Sequence, residues 1–591
     1  MSTTHFWFRS GAWSLLAHLD TVAERRAPLG LVIVPPFGWE EVCTYRPLRF
    51  MAQRFAELGI PTLRYDLPAA GDSSGDPQDP GLFDAWVQSV GDAVETLRTA
   101  AAVDDVAVLG VHLGAMLAMT ASARGANIRQ LVLWGPAARG RSLIRELHAA
   151  ANVERWEYLS EDEAPRQPIP GFGASGFLIA PETLKALEEL DVAALPWRGK
   201  NMPVLLLSRD ALPHDPAIVK TLDPSSPDTA IADGAGYADM MAGPLEGIYS
   251  PETTQTIAGF LLRRTSPAIR NNTVPASPEH RHPTESVFEV GAGASSMFGI
   301  LSEPPAGTHR TTHGLLFLNA GGVRHTGPNR MWVESARRWA AVGVPSLRLD
   351  LPGIGESEGP ESLDVPALYR EFLIEQIATA IDTLRRSAGM KRFTVIGLCS
   401  GACWGFHAAV RFPGVQSAIL VNPSLLYWDP EVDRRRILPR FGDGFGGWSD
   451  WMKMAATGLR RGGIGRVSHR IAETLRRTNS DAYIQLGFRN FEQAWAAFER
   501  ARKRVTLVFR EGEPLLAEME TAGQLPSANG HWARCIRVPN TGHTFRPLWA
   551  QKMLHDLIDR ELAETIRISP EPSVLSLISD SAVSPSQSHS S

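Results

Sequence analysis

The sequence has few cysteines and no excess of positive charge. Four cysteines among 591 residues are too few for a disulfide framework, and such scarcity is typical of a reducing compartment. Lysine and arginine together number 59 against 64 acidic residues, which gives a net charge of −5. Without a global positive field the chain has no general means of holding nucleic acid, so we predict no nucleic-acid partner.

The sequence also lacks the patterns that indicate a secretory signal or a membrane span. The first residues, MSTTHFWFRSGAW, lack a basic segment followed by an apolar stretch. The uncharged stretch FTVIGLCSGACWGFHAAV contains serine, histidine and several glycines, which is not typical of a membrane span. We therefore predict a cytoplasmic protein with no membrane span.

The chain is too long for one hydrophobic core, and it repeats itself. Three motifs recur in the same order, with an offset of 284 residues between Asp66 and Asp350. The matching pairs are LVIVPPFGWE (31–40) with LLFLNAGGVR (315–324), LRYDLPAAGDSSGD (63–76) with LRLDLPGIGESEGP (347–360), and VAVLGVHLGAMLA (106–118) with FTVIGLCSGACWG (393–405). This pattern predicts two copies of one domain.

Each copy alternates buried apolar runs with amphipathic segments, which predicts an α/β fold with a mostly parallel sheet flanked by helices. We expect a large internal interface between the copies. The predicted units are a first domain (1–264), a linker (265–285) rich in Pro, Asn and Ser, a second domain (286–568) with a helical cap at about 424–500, and a disordered Ser/Pro-rich tail (569–591).

The most informative motif is Gly397-Leu398-Cys399-Ser400-Gly401, between a predicted strand and a predicted helix. It has the glycine–nucleophile–glycine spacing of the elbow of α/β-hydrolases, with Cys399 in the usual serine position. A helix N-terminus beneath the sulfur favours the nucleophilic thiolate. The alternative is a buried structural cysteine, which is how we interpret Cys403, four residues further along the helix.

A thiol nucleophile needs a base and an orienting acid, which follow it along the chain in this fold. His543 lies in a Gly-containing loop after the last predicted strand and is the predicted base, whereas His531 and His407 lie at unsuitable positions. The acid is predicted to follow the strand VTLVF, where Glu513 is favoured over Glu511 because it lies deeper in the loop.

The oxyanion hole is predicted to use the backbone N–H of Ser400 and one from the Gly321-Gly322 turn. Asp350 is interpreted as a structural residue that caps its turn. We predict neither a metal nor a cofactor. The first copy has His112 at its elbow and Tyr237 where the second has His543, so we predict that the first domain is noncatalytic.

The predicted cap is basic and carries aromatic side chains. Residues 431–480 hold eleven Lys/Arg against five Asp/Glu; Arg434, Arg435, Arg436, Trp428, Trp448 and Trp451 belong to this region. Two interpretations remain open, a solvated amphipathic cap or a surface for an anionic substrate such as an acyl carrier protein or a coenzyme A thioester.

At these residues the chain resembles the α/β-hydrolase superfamily, and within it the paired hydrolases found beside bacterial exosortase systems. The motifs PPFGWEE, DLPAAGDSSGD and GVHLGA resemble one member of the pair, and NAGGVRHTGPNR, DLPGIGESEG and GLCSGA resemble the other. The resemblance implies a hydrolase or acyltransferase in the making of an exported polymer or secondary metabolite. The elbow is also similar to that of dienelactone hydrolases, whose triad is Cys-His-Asp.

The predicted activity is therefore a cysteine-dependent acyl hydrolase or acyltransferase that acts on an ester or thioester through an acyl-enzyme. The competing hypothesis is a scaffold or binding protein in which both copies are inactive. A thioester acyl-enzyme is activated towards amines, which favours acyl transfer over plain hydrolysis.

Overall fold

The computed structural model describes residues 1–22, 28–158, 170–195, 202–263, 280–291, 293, 296–426 and 491–567. Most of the predicted linker and cap, including the basic and tryptophan residues at 428–451, and the whole predicted tail lie outside the described residues. The described part divides into a first half, up to residue 263, and a second half, from residue 280. No helix in the described part is long and apolar enough to cross a membrane.

The first half alternates strands and helices. Its strands are β1 (Ser2–Ser10), β2 (Trp13–Thr21), β3 (Leu29–Val34), β4 (Thr62–Tyr65), β5 (Asp105–Val111), β6 (Gln130–Trp134), β7 (Phe172–Ala174), β8 (Phe177–Ile179), β9 (Val204–Leu207) and β10 (Thr229–Ala232). Its helices are α1 (Trp39–Glu57), α2 (Leu82–Ala100), α3 (Leu113–Ala123), α4 (Gly140–Tyr158), α5 (Pro181–Glu189), α6 (Pro216–Leu222), α7 (Tyr237–Met240) and α8 (Pro251–Leu262).

The second half repeats this alternation. Its strands are β11 (Glu285–Val290), β12 (Met297–Ser302), β13 (His313–Phe317), β14 (Ser346–Leu349), β15 (Arg392–Leu398), β16 (Val415–Val421), β17 (Arg504–Arg510) and β18 (Ala533–Val538). Its helices in the described residues are α9 (Met331–Ala341), α10 (Phe372–Ser387), α11 (Ser400–Arg411), α12 (Phe491–Arg500), α13 (Pro514–Thr521) and α14 (Leu548–Arg567).

Each half contains one eight-stranded sheet, and the two sheets have the same topology. The orders are β1-β2-β4-β3-β5-β6-β9-β10 and β11-β12-β14-β13-β15-β16-β17-β18. In each sheet the second strand, β2 or β12, pairs antiparallel with both of its neighbours, and all other neighbouring strands pair parallel. The predicted fold, two tandem α/β domains, is confirmed. Because parallel strands place their carboxyl ends at one edge, each sheet gathers its loops there.

The turns that follow β4 in the first half and β14 in the second half have the same hydrogen-bonding pattern. Asp66 Oδ2 accepts the backbone N–H of Asp72 at 2.8 Å, and Asp350 Oδ2 accepts that of Glu356 at 3.1 Å. These carboxylates satisfy backbone donors inside a buried turn, which would otherwise be left unpaired at a cost in free energy. The interpretation of Asp350 as a structural capping residue is confirmed.

The two halves meet through a reciprocal pair of buried ion pairs. Arg64 Nη1 of the first half lies 2.8 Å from Glu356 Oε1 of the second, and Arg348 Nη1 lies 2.6 Å from Asp72 Oδ1 of the first. All four side chains are buried. Both partners in one pair are 284 residues from their counterparts in the other, so the halves contact each other as the subunits of an isologous dimer do.

Candidate active site

The second half contains a strained strand-to-helix turn at Cys399. Strand β15 ends at Leu398, Cys399 has φ 56° and ψ −116°, and α11 begins at the next residue. A Cβ added to Gly397 would lie 2.2 Å from the backbone of Gly401, and one added to Gly401 would lie 2.2 Å from the Asn319 carbonyl oxygen. The two glycines therefore permit the close approach of strand, helix and neighbouring loop that the sequence motif predicts.

The structure brings the three predicted triad residues together. His543 Nδ1 donates to Glu513 Oε1 at 2.8 Å, and the His543 side chain is hydrogen-bonded to Cys399. Glu513 precedes α13 and is buried, whereas Glu511 is exposed. Of the two carboxylates left open by the sequence, Glu513 is the one in contact with the imidazole.

The two other histidines near the predicted site are placed differently. His407 is fully buried on α11, donates from Nε2 to the Leu426 carbonyl at 2.8 Å, and has its pKa lowered to about 4 by burial. His531 is exposed and packs against the ring of Trp532. Cys403 is buried in the core, as predicted.

Charge at the site favours a thiolate–imidazolium pair. Burial by itself would raise the pKa of the Cys399 thiol, but the charge of His543 and hydrogen bonds from His543 and Ser424 hold that pKa below its ordinary value. Burial would lower the pKa of His543, but the charges and hydrogen bonds of Cys399 and Glu513 raise it to about 10. Opposite charges in contact each favour the ionised form of the other.

Residues at the ends of β16 and β17 that the sequence did not predict hold the three predicted triad residues in place. Asn422, at φ 42°, donates from Nδ2 to the His543 carbonyl and accepts the Arg510 backbone N–H at Oδ1, each at 2.7 Å. Ser424 Oγ lies 3.4 Å from Cys399 Sγ, and Arg510 Nε donates to Glu513 Oε1 at 2.6 Å. The sequence signal for Asn422 and Ser424 was the polar segment NPS (422–424) directly after a buried strand, at the edge of the sheet where the loops gather.

The predicted oxyanion-hole residues lie beside the elbow. The Gly321 N–H donates to Ser400 Oγ at 3.1 Å, so this bond must break before that N–H can bind an oxyanion. Gly322 packs against the backbone of Leu245, from the first half. The assignment of these N–H groups to an oxyanion hole stays a prediction, and their position next to Cys399 is compatible with it.

Residues 315–557 match the family model described as the alpha/beta hydrolase family. The second half is therefore similar to this family over most of its length. No curated protein sequence matches the chain. The narrower resemblance to exosortase-associated hydrolases stays a prediction.

Solved structures with similar folds include an alpha-beta serine hydrolase homologue from Coxiella burnetii, which is 12% identical, covers 48% of this chain and 100% of its own, and has a TM-score of 0.29. Est1E from Butyrivibrio proteoclasticus, solved with ferulic acid, is 18% identical in sequence. The match covers 44% of this chain and 98% of Est1E, with a TM-score of 0.31. Dienelactone hydrolase from Anabaena variabilis is 16% identical in sequence. The match covers 47% of this chain and 97% of that protein, with a TM-score of 0.29.

The first half has a strand-to-helix turn of the same backbone geometry, with His112 in the position that Cys399 has in the second half. His112 has φ 50° and ψ −109°, and its buried ring lies between two carboxylates. Its Nδ1 is 2.5 Å from Glu40 Oε2, and its Nε2 is 3.4 Å from Glu146 Oε2. The sequence did not predict these two carboxylate partners, because Glu40 and Glu146 lie 72 and 34 residues from His112 along the chain.

A further cation completes this charge network. Arg209 Nη1 donates to Glu146 Oε2 at 2.8 Å, and its guanidinium lies over the Tyr237 ring. Burial and Arg209 lower the pKa of His112, but Glu40 and Glu146 outweigh them and raise it above its ordinary value. His112 and Arg209 thus face two carboxylates at the position where the second half has Cys399.

Proposed function

We propose that the second half is a cysteine-dependent acyl hydrolase or acyltransferase that acts on an ester or thioester through a Cys399 acyl-enzyme. The observation that carries this proposal is the hydrogen-bonded series Cys399–His543–Glu513 at a hydrolase elbow. A buried Cys–His–Glu arrangement with a lowered thiol pKa is the chemistry that nucleophilic acyl transfer requires.

In the first step the Cys399 thiolate attacks the carbonyl carbon and forms a carbon–sulfur bond, while the carbonyl electrons move onto oxygen. The resulting oxyanion is bound by the Ser400 N–H and an N–H of the Gly321-Gly322 turn. Collapse of this intermediate breaks the bond to the leaving alkoxide or thiolate, which takes its proton from the His543 imidazolium.

In the second step water, an alcohol or an amine attacks the thioester carbonyl. Neutral His543 accepts the proton of the attacking group, and Cys399 leaves as the thiolate. Glu513 keeps the imidazole oriented and stabilises its charged form, without itself taking the proton. Hydrolysis and acyl transfer differ only in the group that enters here.

The test is acylation of the folded protein with p-nitrophenyl acetate and S-acetyl-N-acetylcysteamine, followed by peptide mapping. We expect one acetyl group on Cys399 and none in Cys399→Ala. Cys535→Ala is the matched control, because Cys535 is also buried but has its pKa raised to about 11 by burial, and its loss should leave the label unchanged. Absence of label on Cys399 would favour the scaffold hypothesis.

The acyl donor is proposed to be a carrier-protein or coenzyme A thioester, because residues 431–480 carry an excess of six positive charges. Salt screens such an attraction. The KM for an acyl-carrier thioester should therefore rise between low and high salt, while that for S-acetyl-N-acetylcysteamine, which is uncharged, should not. Equal salt response for both substrates would contradict this choice of donor.

A further inference from the structure

The first half holds the loop that carries the predicted oxyanion donors of the second half. This loop, residues 319–330, leads from β13 towards α9 and contains Gly321 and Gly322. Arg324 in the loop makes a two-pronged contact with Asp66 of the first half, at 3.1 Å from Nη1 to Oδ2 and 2.8 Å from Nη2 to Oδ1. The Arg324 guanidinium also lies over the Tyr45 ring, 4.0 Å from its centroid.

The next loop residue bridges the two halves. His325 donates from Nε2 to Asp72 Oδ2 of the first half and from Nδ1 to Asp350 Oδ2 of the second, each at 2.7 Å. His325, Asp72 and Asp350 are fully buried. Burial would lower the pKa of His325, but the two carboxylates raise it to about 9, so at neutral pH both ring nitrogens carry a proton to donate.

The end of the loop is fixed to the backbone of the first half. Arg330 donates from Nε to the Gly71 carbonyl at 2.8 Å and from Nη2 to the Ser73 carbonyl at 2.7 Å. Near the start of the loop, Gly322 lies close to Leu245 of the first half. A Cβ added to Gly322 would be 2.9 Å from the Leu245 nitrogen, which is closer than side chains normally approach. Contacts from the first half therefore run along the whole loop.

The same loop is joined to the elbow of the second half. The Gly321 N–H contacts Ser400, and the carbonyl of Asn319 lies against Gly401. Asn319 Nδ2 donates to the Val323 carbonyl at 3.0 Å, which closes the turn that holds the two glycines. A shift at Arg324 or His325 therefore moves the Gly321 and Gly322 N–H groups relative to the elbow.

We propose that the first half is a positioning domain, whose Asp66 and Asp72 carboxylates fix Arg324 and His325 and so aim the oxyanion-binding N–H groups of the second half. The inference rests on the proposed acyl chemistry of Cys399. It gives the domain without a nucleophile a role in the reaction through residues that never touch the substrate.

The reciprocal interface supplies a matched control. Asp72→Asn removes a buried carboxylate that contacts the oxyanion loop through His325, together with the Arg348 ion pair. Glu356→Gln removes the symmetry-related carboxylate, whose partner across the interface is Arg64 and which makes no hydrogen bond or ion pair with the described residues 319–330. Both variants break a buried cross-half ion pair, but only the first releases the loop.

The experiment compares two reactions of the same sulfur in the full chain. Acetylation by p-nitrophenyl acetate or S-acetyl-N-acetylcysteamine passes through an oxyanion, whereas alkylation by iodoacetamide needs the thiolate but forms no oxyanion. In Asp72→Asn we expect kcat and the acetylation rate to fall about 100-fold, because displacement of a catalytic group by about 1 Å costs on that order. KM and the alkylation rate should stay within about threefold.

In Glu356→Gln, compared per folded molecule, both rates should remain near those of the unmodified protein. Glu41→Gln is a milder second variant, because Glu41 Oε1 accepts from Arg324 Nη2 at 3.0 Å, and it should slow acetylation in the same selective way to a smaller extent. Equal loss of acetylation in Asp72→Asn and Glu356→Gln would overturn the inference, as would parallel loss of acetylation and alkylation in Asp72→Asn. Alkylation without acetylation in the unmodified protein would overturn the proposed function and this inference with it.

Discussion

The two elbows share a backbone and differ in chemistry. His112 and Cys399 both have φ near 50° and ψ near −110°, each between flanking glycines that prevent backbone collisions. At Cys399 the partner is an imidazole held by one carboxylate, whereas His112 is itself held between two carboxylates and an arginine. The strained turn is thus a property of the fold, and the partner side chains decide what chemistry it can support.

The largest expected effect separates the two elbows directly. Cys399→Ala should abolish turnover, because it removes the only proposed acyl acceptor, whereas His112→Ala should leave kcat nearly unchanged. The readout is steady-state turnover of S-acetyl-N-acetylcysteamine, expressed per folded molecule. His112→Ala leaves the buried Glu40 carboxylate without this hydrogen-bond partner and should lower the free energy of unfolding by about 1–3 kcal/mol. Loss of activity in folded His112→Ala, with activity retained in Cys399→Ala, would reverse the assignment of the halves.

A second comparison tests the acid within the second half. Glu513→Gln should lower kcat by about 100-fold or more, because a neutral amide cannot stabilise the His543 imidazolium. The matched control is Glu511→Gln, which removes an exposed carboxylate two residues away and should leave kcat unchanged. If the Glu511 variant is the slower of the two, the geometry at His543 does not describe the working enzyme.

The pH dependence of alkylation sharpens the contrast between the reactive and structural cysteines. Because His543 holds the pKa of Cys399 below that of an ordinary thiol, the iodoacetamide rate of Cys399 should reach half its plateau at a lower pH than that of Cys535, which should require a pH near 11. In His543→Ala the imidazolium is gone while burial still acts, so the Cys399 midpoint should move to a higher pH. A midpoint that His543→Ala leaves in place would show that the thiolate has no ion-pair partner.

The smallest effect concerns the exposed edge of the interface between the halves. Arg54 Nη2 lies 3.0 Å from Glu361 Oε1, and both side chains are about half exposed. Arg54→Ala should therefore lower the free energy of unfolding by less than about 1 kcal/mol. Arg64→Ala, which removes the nearest cation of the buried Glu356, should cost about 3–5 kcal/mol. Urea unfolding of both variants measures the difference, and equal costs would contradict the view that burial strengthens the cross-half pairs.

Local sequence was enough to select the three residues that the structure brings together at the elbow. The elbow is recognisable because its glycines, nucleophile, strand and helix lie within a few consecutive residues. His543 and Glu513 follow short apolar strands, so chain order located them, but chain order could not separate Glu513 from Glu511. Only the structure distinguishes the two carboxylates, because Glu513 is buried and hydrogen-bonded to His543. Asn422 and Ser424 were missed because their role depends on which strand lies beside β15.

The sequence by itself determined the duplication, the fold class and the candidate nucleophile, because repeated motifs and apolar periodicity are encoded locally. Only the tertiary structure decided what surrounds His112 and what holds the oxyanion loop. Asp72 and His325 are 253 residues apart in the chain, and their contact exists because two similar sheets pack reciprocally. No spacing rule predicts such a pair, since each side chain is an ordinary polar residue in its own turn until the other half buries it.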